Sequence, residues 1–205
     1  MSAPQGSAEW LAARAGCLTA SAIADMLAKT KTGEAASRAN LRARLVAERL
    51  TGIPQDGFSN AAMQWGNEQE PFARAAYEIH SGNLVDQTGL VMHPSIPYAG
   101  ASPDGLIDDC GLVEIKCPNT ATHIEYLLSG TPPKKYQPQM LWQMECTGRQ
   151  WCDFVSFDPR MPSHLQLFVV RFDRDEGRLN DVRAEAVKFL AEVDSMINQL
   201  TKKAA

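Results

Sequence analysis

No apolar run in this chain approaches the roughly 20 residues that a membrane-spanning helix requires. The opening stretch MSAPQGSAEW holds neither a basic segment nor an apolar one, so no secretory signal is expected and a cytoplasmic location is. Cysteine is sparse: Cys17, Cys110, Cys117, Cys146 and Cys152 make an odd five without a C-x-x-C pair. Reduced and mostly buried thiols are therefore expected, rather than disulfides or a four-thiolate cluster. Internal repeats, low-complexity segments and long linkers are missing too, and residues 1–205 read as a single domain. Hydrophobic residues at 44% and charged residues at 21% leave room for a sizeable core.

A surplus of positive charge is also lacking. The net charge of −4 does not announce a nucleic-acid binder. The charge is unevenly spread, however. Residues 1–50 carry seven basic side chains (Arg14, Lys29, Lys31, Arg38, Arg42, Arg44, Arg49) and four acidic ones (Glu9, Asp25, Glu34, Glu48), so this part is +3 and the remainder −7. Such asymmetry allows a local phosphate-binding face on an acidic protein, and equally an ordinary solvated helix surface.

The pattern of apolar residues and breakers predicts helices first. Ser7 can cap a short helix through AEWLAARAG, ended by Gly16, and TASAIADMLAK reads as a second helix with Thr19 near its start. KTKTGEAAS reads as a polar loop. RANLRARLVAERLTG has helical spacing and stops at Gly52. NAAMQWGNEQEPFARAAYEIHSG follows, interrupted in pattern by Gly66 and Pro71 and closed by Gly82. Three strand signals come next, NLVDQTGLVMH, YAGASPDGLID and GLVEIKCP, forming a meander. Two helices (TATHIEYLLSG, YQPQMLWQMECTG), two strands (QWCDFVSFD, HLQLFVVRFD) and a long amphipathic C-terminal helix complete the chain. This order predicts an α/β class fold in which helices flank a central mixed β-sheet.

The chemistry concentrates in ASPDGLIDDCGLVEIKCP, residues 101–118. Residues two apart in a strand share a face, so Glu114 and Lys116 project together while Val113, Ile115 and Cys117 point to the core. Asp104 lies in the preceding Pro-Asp-Gly turn. If the hairpin pairs in register, Asp104 stands beside Glu114. Two carboxylates and the Ile115 carbonyl suit Mg²⁺ or Mn²⁺, and a lysine beside them can orient a water or neutralise developing charge. An E-x-K pair on the wet face of a hairpin is the commoner meaning of such a strand, and D-G turns are common where no chemistry occurs. The combination at this spacing, followed at once by Cys-Pro and a helix, tips the balance.

SPDG…EIKCP is the signature of the PD-(D/E)xK nucleases, whose core is restriction-endonuclease-like. The chain further resembles the phage lambda exonuclease (YqaJ-like viral recombinase) family through EWLAARAGCLTASAIADMLAK, AMQWGNEQEPFARAAYEIHSG, ASPDGLIDDCGLVEIKCP, YQPQMLWQMECTG and FDPRM. The resemblance implies a Mg²⁺-dependent enzyme that digests one strand of linear duplex DNA from its 5′ end. It also implies a homotrimeric ring and a 3′ tail handed to a single-strand annealing protein. By the same resemblance Asp104, Glu114, the Ile115 carbonyl and Glu70 are the expected metal ligands, and Lys116 the catalytic lysine. Arg14, Ser21 and Ser102 match the 5′-phosphate pocket, and Met63 an apolar wedge at the terminal base pair. Without the resemblance, Glu70 reads as an i,i+4 partner of Arg74 and Met63 as a helix core residue. Gln139 fits the glutamine that follows the motif strand, but Leu141 stands where the family has a second glutamine, so that the polar contact there is either lost or supplied by Gln143 two residues on. Lys29 and Lys31 are candidates for duplex backbone contact. An endonuclease of the same fold, or a non-catalytic DNA-end-binding scaffold, would use the same residues differently.

Overall fold

The computed structural model describes residues 3–31, 33–55 and 61–204. Helix α1 (Ala8–Arg14) begins where the Ser7 hydroxyl accepts a bond from the Trp10 amide at 3.2 Å. The second expected helix is divided. Leu18–Thr19 is strand β1, a 3₁₀ turn covers Ala20–Ala22, and only Ile23–Leu27 is helix α2. The cause is tertiary: Leu18 and Thr19 pair in parallel with Ala99 and Gly100, and that ladder overrides local helical propensity. The expected loop contains a hairpin, with β2 (Lys29–Thr30) antiparallel to β3 (Gly33–Glu34) and Lys31 in its turn. Thr32 of that segment lies outside the described residues, as does Asn60, the expected start of the next helix.

Helix α3 (Ala36–Thr51) ends at Gly52 with φ 68°, the left-handed cap that glycine adopts without strain. Helix α4 (Ala61–Ser81) runs unbroken through both Gly66 and Pro71 and ends at Gly82. The expected meander is split between two sheets. Val91–Met92 (β4) and Ala99–Ala101 (β5) join β1 in a three-stranded sheet of order β1-β5-β4. Gly105–Ile107 (β6) and Gly111–Lys116 (β7) instead begin a four-stranded sheet. Its order is β6-β7-β8-β9, with β8 at Trp151–Phe157 and β9 at Leu167–Asp173. The β7–β8 pair is parallel and the outer pairs antiparallel, so the sheet is mixed. Pro103 and Asp104 lie where the chain crosses from one sheet to the other. Gly105 permits that crossing, since a Cβ there would stand 2.0 Å from Val85 Cγ1.

Helices cover both faces of the four-stranded sheet. On one face Ala73 and Tyr77 of α4 pack on Ile107, Val113, Ile115, Val155 and Phe157. On the other, helices α5 (Thr120–Ser129) and α6 (Gln137–Thr147) set Tyr126, Met140, Leu141 and Met144 against Leu112, Cys152 and Phe154. The long helix α7 (Glu176–Ala204) joins α2, α3 and the smaller sheet in a third apolar cluster that includes Trp142, Phe189 and Val193. Among the described residues no helix is long and apolar enough to cross a membrane.

Helix α6 is anchored by a buried carboxylate. Glu145 accepts from Arg174 Nη2 at 2.8 Å and Arg183 Nε at 2.7 Å, with His93 Nε2 at 3.4 Å. Burial pushes the Glu145 pKa up, but the two arginines outweigh it and hold the carboxyl below its ordinary value. A depressed carboxylate contributes stability above its unfolded pKa and loses it as pH falls through the folded one. Glu145→Gln is therefore expected to lower the melting temperature at neutral pH and to flatten the acid limb of a melting-temperature profile.

The basic surplus of the first fifty residues is largely consumed inside the fold. Arg38 and Arg42 both pair with Glu34 and Glu192, and Arg49 with Asp194, two of those acids lying on α7. Arg44 faces Glu48 at 3.9 Å. The cations of this region left without a carboxylate among the described residues are Arg14, Lys29 and Lys31.

Candidate active site

The site grows from the register of one hairpin. Gly105 pairs with Val113, so the next step of the ladder sets Asp104 opposite Glu114, as the strand pattern predicts. There the ladder bond is replaced by a side-chain one: the Ile115 amide donates to Asp104 Oδ2 at 2.7 Å. Glu114 and Lys116 share a face, and their side chains form an ion pair between Nζ and Oε1. That face is not wet. Glu114 is fully buried because α6 packs over it.

Two glutamines from α6 satisfy the buried carboxylate. Gln139 Nε2 donates to Glu114 Oε1 and Gln143 Nε2 to Oε2, each at 2.6 Å. Residues four apart share a helix face, so these two glutamines act together while Leu141 turns into the apolar core. The sequence departure at Leu141 therefore costs no polar contact. Tyr136, at the start of α6, places its ring 5.2 Å from Lys116 Nζ.

Electrostatics mark the cluster as short of positive charge. Burial first, then the neighbouring Glu114 and, more weakly, Glu70, raise Asp104 well above the usual carboxylate range, with Lys116 opposing them. Burial acts to lower the Lys116 pKa, but Glu114 and Asp104 outweigh it and hold the ammonium protonated. Asp104 and Glu114 thus share a single lysine, with Glu70 on the wall of the same cleft, an excess of negative charge that a divalent cation would relieve. The donor set, hard oxygens only, fits Mg²⁺ or Mn²⁺. Among the described residues no three His, Cys, Asp or Glu side chains stand at ligand spacing, and Glu114 is taken up by Lys116 and the glutamines. Thiolates play no part: the five cysteines are free, and burial followed by Glu70 and Asp104 pushes Cys117 up to about 12.

Glu70 holds Arg74 at 2.6 Å, the i,i+4 pair, and also lines the cleft beside Asp104. That cleft, about 340 Å³, is bounded by Met63, Gly66, Glu70, Asp104, Lys116 and Pro118. Met63 is 52% exposed at its rim, which overturns the reading of a core methionine.

Arg14, Ser21 and Ser102 come from three separate segments and meet through two residues that sequence reasoning missed. Arg14 Nη2 donates to Thr19 Oγ1 at 3.3 Å, and Thr19 Oγ1 lies 3.4 Å from Ser21 Oγ. Trp10 Nε1 donates to Ser102 Oγ at 3.0 Å, while its ring carries the Arg14 guanidinium at 4.0 Å. The Trp10–Arg14 spacing of four was a legible helix-face signal; the Ser102 and Thr19 links, made between distant segments, were not. Burial and the nearby Arg44 pull Arg14 below its ordinary pKa, so this half-buried cation is under-neutralised. Gln5 closes the region by donating to the carbonyls of Pro103 and Thr88 at 2.8 and 3.0 Å. A chamber of about 580 Å³ has Trp10 on its wall together with Glu70, Arg74 and Asp104; Arg14, Ser21 and Ser102 do not line it, and Trp10, which touches both Arg14 and Ser102, links their cluster to it. Lys31, on the β2–β3 turn, lines neither cavity.

The model of the YqaJ-like viral recombinase domain matches residues 9–150, which include every site residue named from the sequence. The chain belongs to the YqaJ-like viral recombinase family. Its lambda-exonuclease-like membership extends through solved structures. LHK-Exo in complex with dAMP is 52% identical, with a TM-score of 0.90 over 97% of this chain and 98% of that one. The alkaline exonuclease LHK-Exo from Laribacter hongkongensis is 51% identical with the same TM-score and coverage. A phage-related exonuclease from Haemophilus somnus 129PT is 16% identical, with a TM-score of 0.68 over 92% of this chain and 96% of that one, a likeness of fold alone. No curated protein gives a significant match. The fold is restriction-endonuclease-like, and the family makes the chain a nuclease of recombination.

Proposed function

We propose that the protein is a Mg²⁺-dependent exonuclease that digests linear double-stranded DNA from a 5′-phosphorylated end, 5′→3′, leaving a 3′ single-stranded tail. The observation that carries this reading is the position of Trp10, which holds the Arg14 guanidinium against its ring and lines the same chamber as Glu70 and Asp104. Arg14, with hydroxyls around it, thus stands next to that chamber, and a phosphate held there would set the next phosphodiester toward Asp104 and Glu114.

Arg14 offers a planar fork to a terminal phosphate, with Ser21 and Ser102 adding hydroxyls. Asp104, Glu114 and the Ile115 carbonyl, with Glu70 alongside, would hold Mg²⁺ or Mn²⁺, which lowers the pKa of a bound water and offsets charge on the attacked phosphate. Gln139 and Gln143 fix Glu114 so that its carboxylate does not swing. Lys116, protonated in the resting protein, stabilises charge as water attacks phosphorus and the P–O3′ bond breaks. The released nucleotide keeps its own 5′-phosphate and gains a 3′-hydroxyl. The next nucleotide inherits a 5′-phosphate, so each turn regenerates the end that Arg14 recognises. Met63 at the cleft rim would part the terminal pair, and Lys31 would make a more distant backbone contact. A homotrimeric ring and a single-strand annealing protein as recipient of the tail belong to the same proposal.

The test is digestion with Mg²⁺ of one plasmid in three forms: linear with 5′-phosphates, linear with 5′-hydroxyls, and covalently closed. The phosphorylated linear form is expected to disappear fastest and the circle to survive. Arg14→Ala is expected to slow the phosphorylated form by about 10- to 100-fold, the worth of a lost charge-assisted pair, and to leave the hydroxyl form unchanged. Cutting of the circle would make the enzyme an endonuclease instead.

A further inference from the structure

Beyond the residues assigned above, the segment FDPRM builds a second cationic feature at the cleft. Asp158, at the end of β8, is fully buried and accepts from Thr120 Oγ1 at 2.7 Å. It also accepts from the Arg160 amide at 3.0 Å, from Arg160 Nε at 2.7 Å and from Nη2 at 3.1 Å. Arg160 Nη2 donates again to the carbonyl of Pro118, a wall residue of the smaller cleft, at 3.0 Å. The guanidinium lies 4.9 Å from the ring of Trp65, two residues along α4 from Met63. Three of its five donors are thereby committed, and the two on Nη1 have no partner among the described residues. The Arg160 side chain is nonetheless 46% exposed, where Asp158 beneath it is sealed.

A carboxylate that grips one edge of a guanidinium, an aromatic ring against it and an open Nη1 make a preorganised donor rather than a free surface arginine. Little side-chain entropy remains to be lost when it binds.

We propose that Arg160 grips a backbone phosphate of the duplex as it enters the cleft, on the side of Lys116 and Pro118, with Trp65 as its platform. This rests on the reading of the chain as a nuclease of duplex ends. The test is binding of a 5′-phosphorylated blunt duplex in EDTA, followed by fluorescence anisotropy over a salt series, for wild type, Arg160→Ala and Arg160→Lys, with steady-state digestion and melting temperatures in parallel. Arg160→Ala is expected to weaken binding roughly five- to tenfold and to reduce the salt slope by about one phosphate contact. KM should rise in step while kcat stays within about twofold. Arg160→Lys should restore the slope but only part of the affinity, since an ammonium cannot keep the fork. Unchanged affinity and slope in Arg160→Ala, or a lower melting temperature and kcat with KM and slope intact, would overturn the assignment and leave Arg160 a structural staple. If the wild type binds and digests the duplex normally in that case, this inference fails alone. If wild type neither binds nor digests it, the functional reading falls with it.

Discussion

Lys116→Ala is expected to lower digestion of linear duplex DNA by about 10³-fold or more while the fold survives. The residue supplies the one ammonium among Asp104, Glu114 and Glu70, and its pairing with Glu114 keeps it protonated against the cost of burial. Its loss removes positive charge where negative charge grows on the phosphate. The fold is retained because Glu114 keeps both glutamine donors. The variant leaves a more negative carboxylate cluster, so Mg²⁺ should raise its melting temperature at least as much as it raises that of the wild type. Single-turnover digestion and thermal melting with and without Mg²⁺ check both halves. Activity within tenfold of wild type would remove Lys116 from the catalytic set.

Gln143→Leu is expected to cost stability and activity together. The substitution keeps roughly the volume but takes the donor from Glu114 Oε2, in a site with no exposure to water. A buried acceptor left without its donor costs about 1–3 kcal/mol, and more where it is charged. Because the freed carboxylate can rotate, digestion should fall by about 10- to 100-fold, as positioning errors of this size do. Urea unfolding and the initial rate on phosphorylated linear DNA measure the two effects. Gln139, half-buried, should show a smaller stability loss on the same change. A Gln143→Leu protein of wild-type stability would mean that Lys116 and Gln139 suffice to hold Glu114.

The hairpin chemistry was legible because strand alternation is a rigid rule. Glu114 and Lys116 had to share a face, and register had to bring Asp104 to Glu114. Ser7, Gly52 and Gly82 were legible as helix ends for equally local reasons. Whether the contact missing at Leu141 is lost or supplied by Gln143 stayed open in the sequence, and the fold decides it by setting Gln139 and Gln143 on one helix face against Glu114. What failed depended on partners distant in sequence. Leu18 and Thr19 are a strand only because Ala99 and Gly100 lie alongside, and the expected meander divides because Pro103 and Asp104 carry the chain between two sheets. The arginines of α3 looked available for phosphate until α7, roughly 150 residues on, supplied Glu192 and Asp194. Thr19 and Trp10 hold Arg14, Ser21 and Ser102 together, yet neither carries a charge that would draw notice in a sequence.

Direction of digestion tests the central claim most directly. A linear duplex with a 5′-phosphate on each strand, one strand labelled near its 5′ end and the other near its 3′ end at the same terminus, is incubated with the protein and Mg²⁺. The 5′ label is expected to leave first as a mononucleotide, while the strand with the 3′ label persists as a lengthening single-stranded tail. Earlier release of the 3′ label, or internal fragments in place of mononucleotides, would contradict the assignment of the Arg14 cluster and the Asp104–Glu114–Lys116 cluster to 5′→3′ strand digestion.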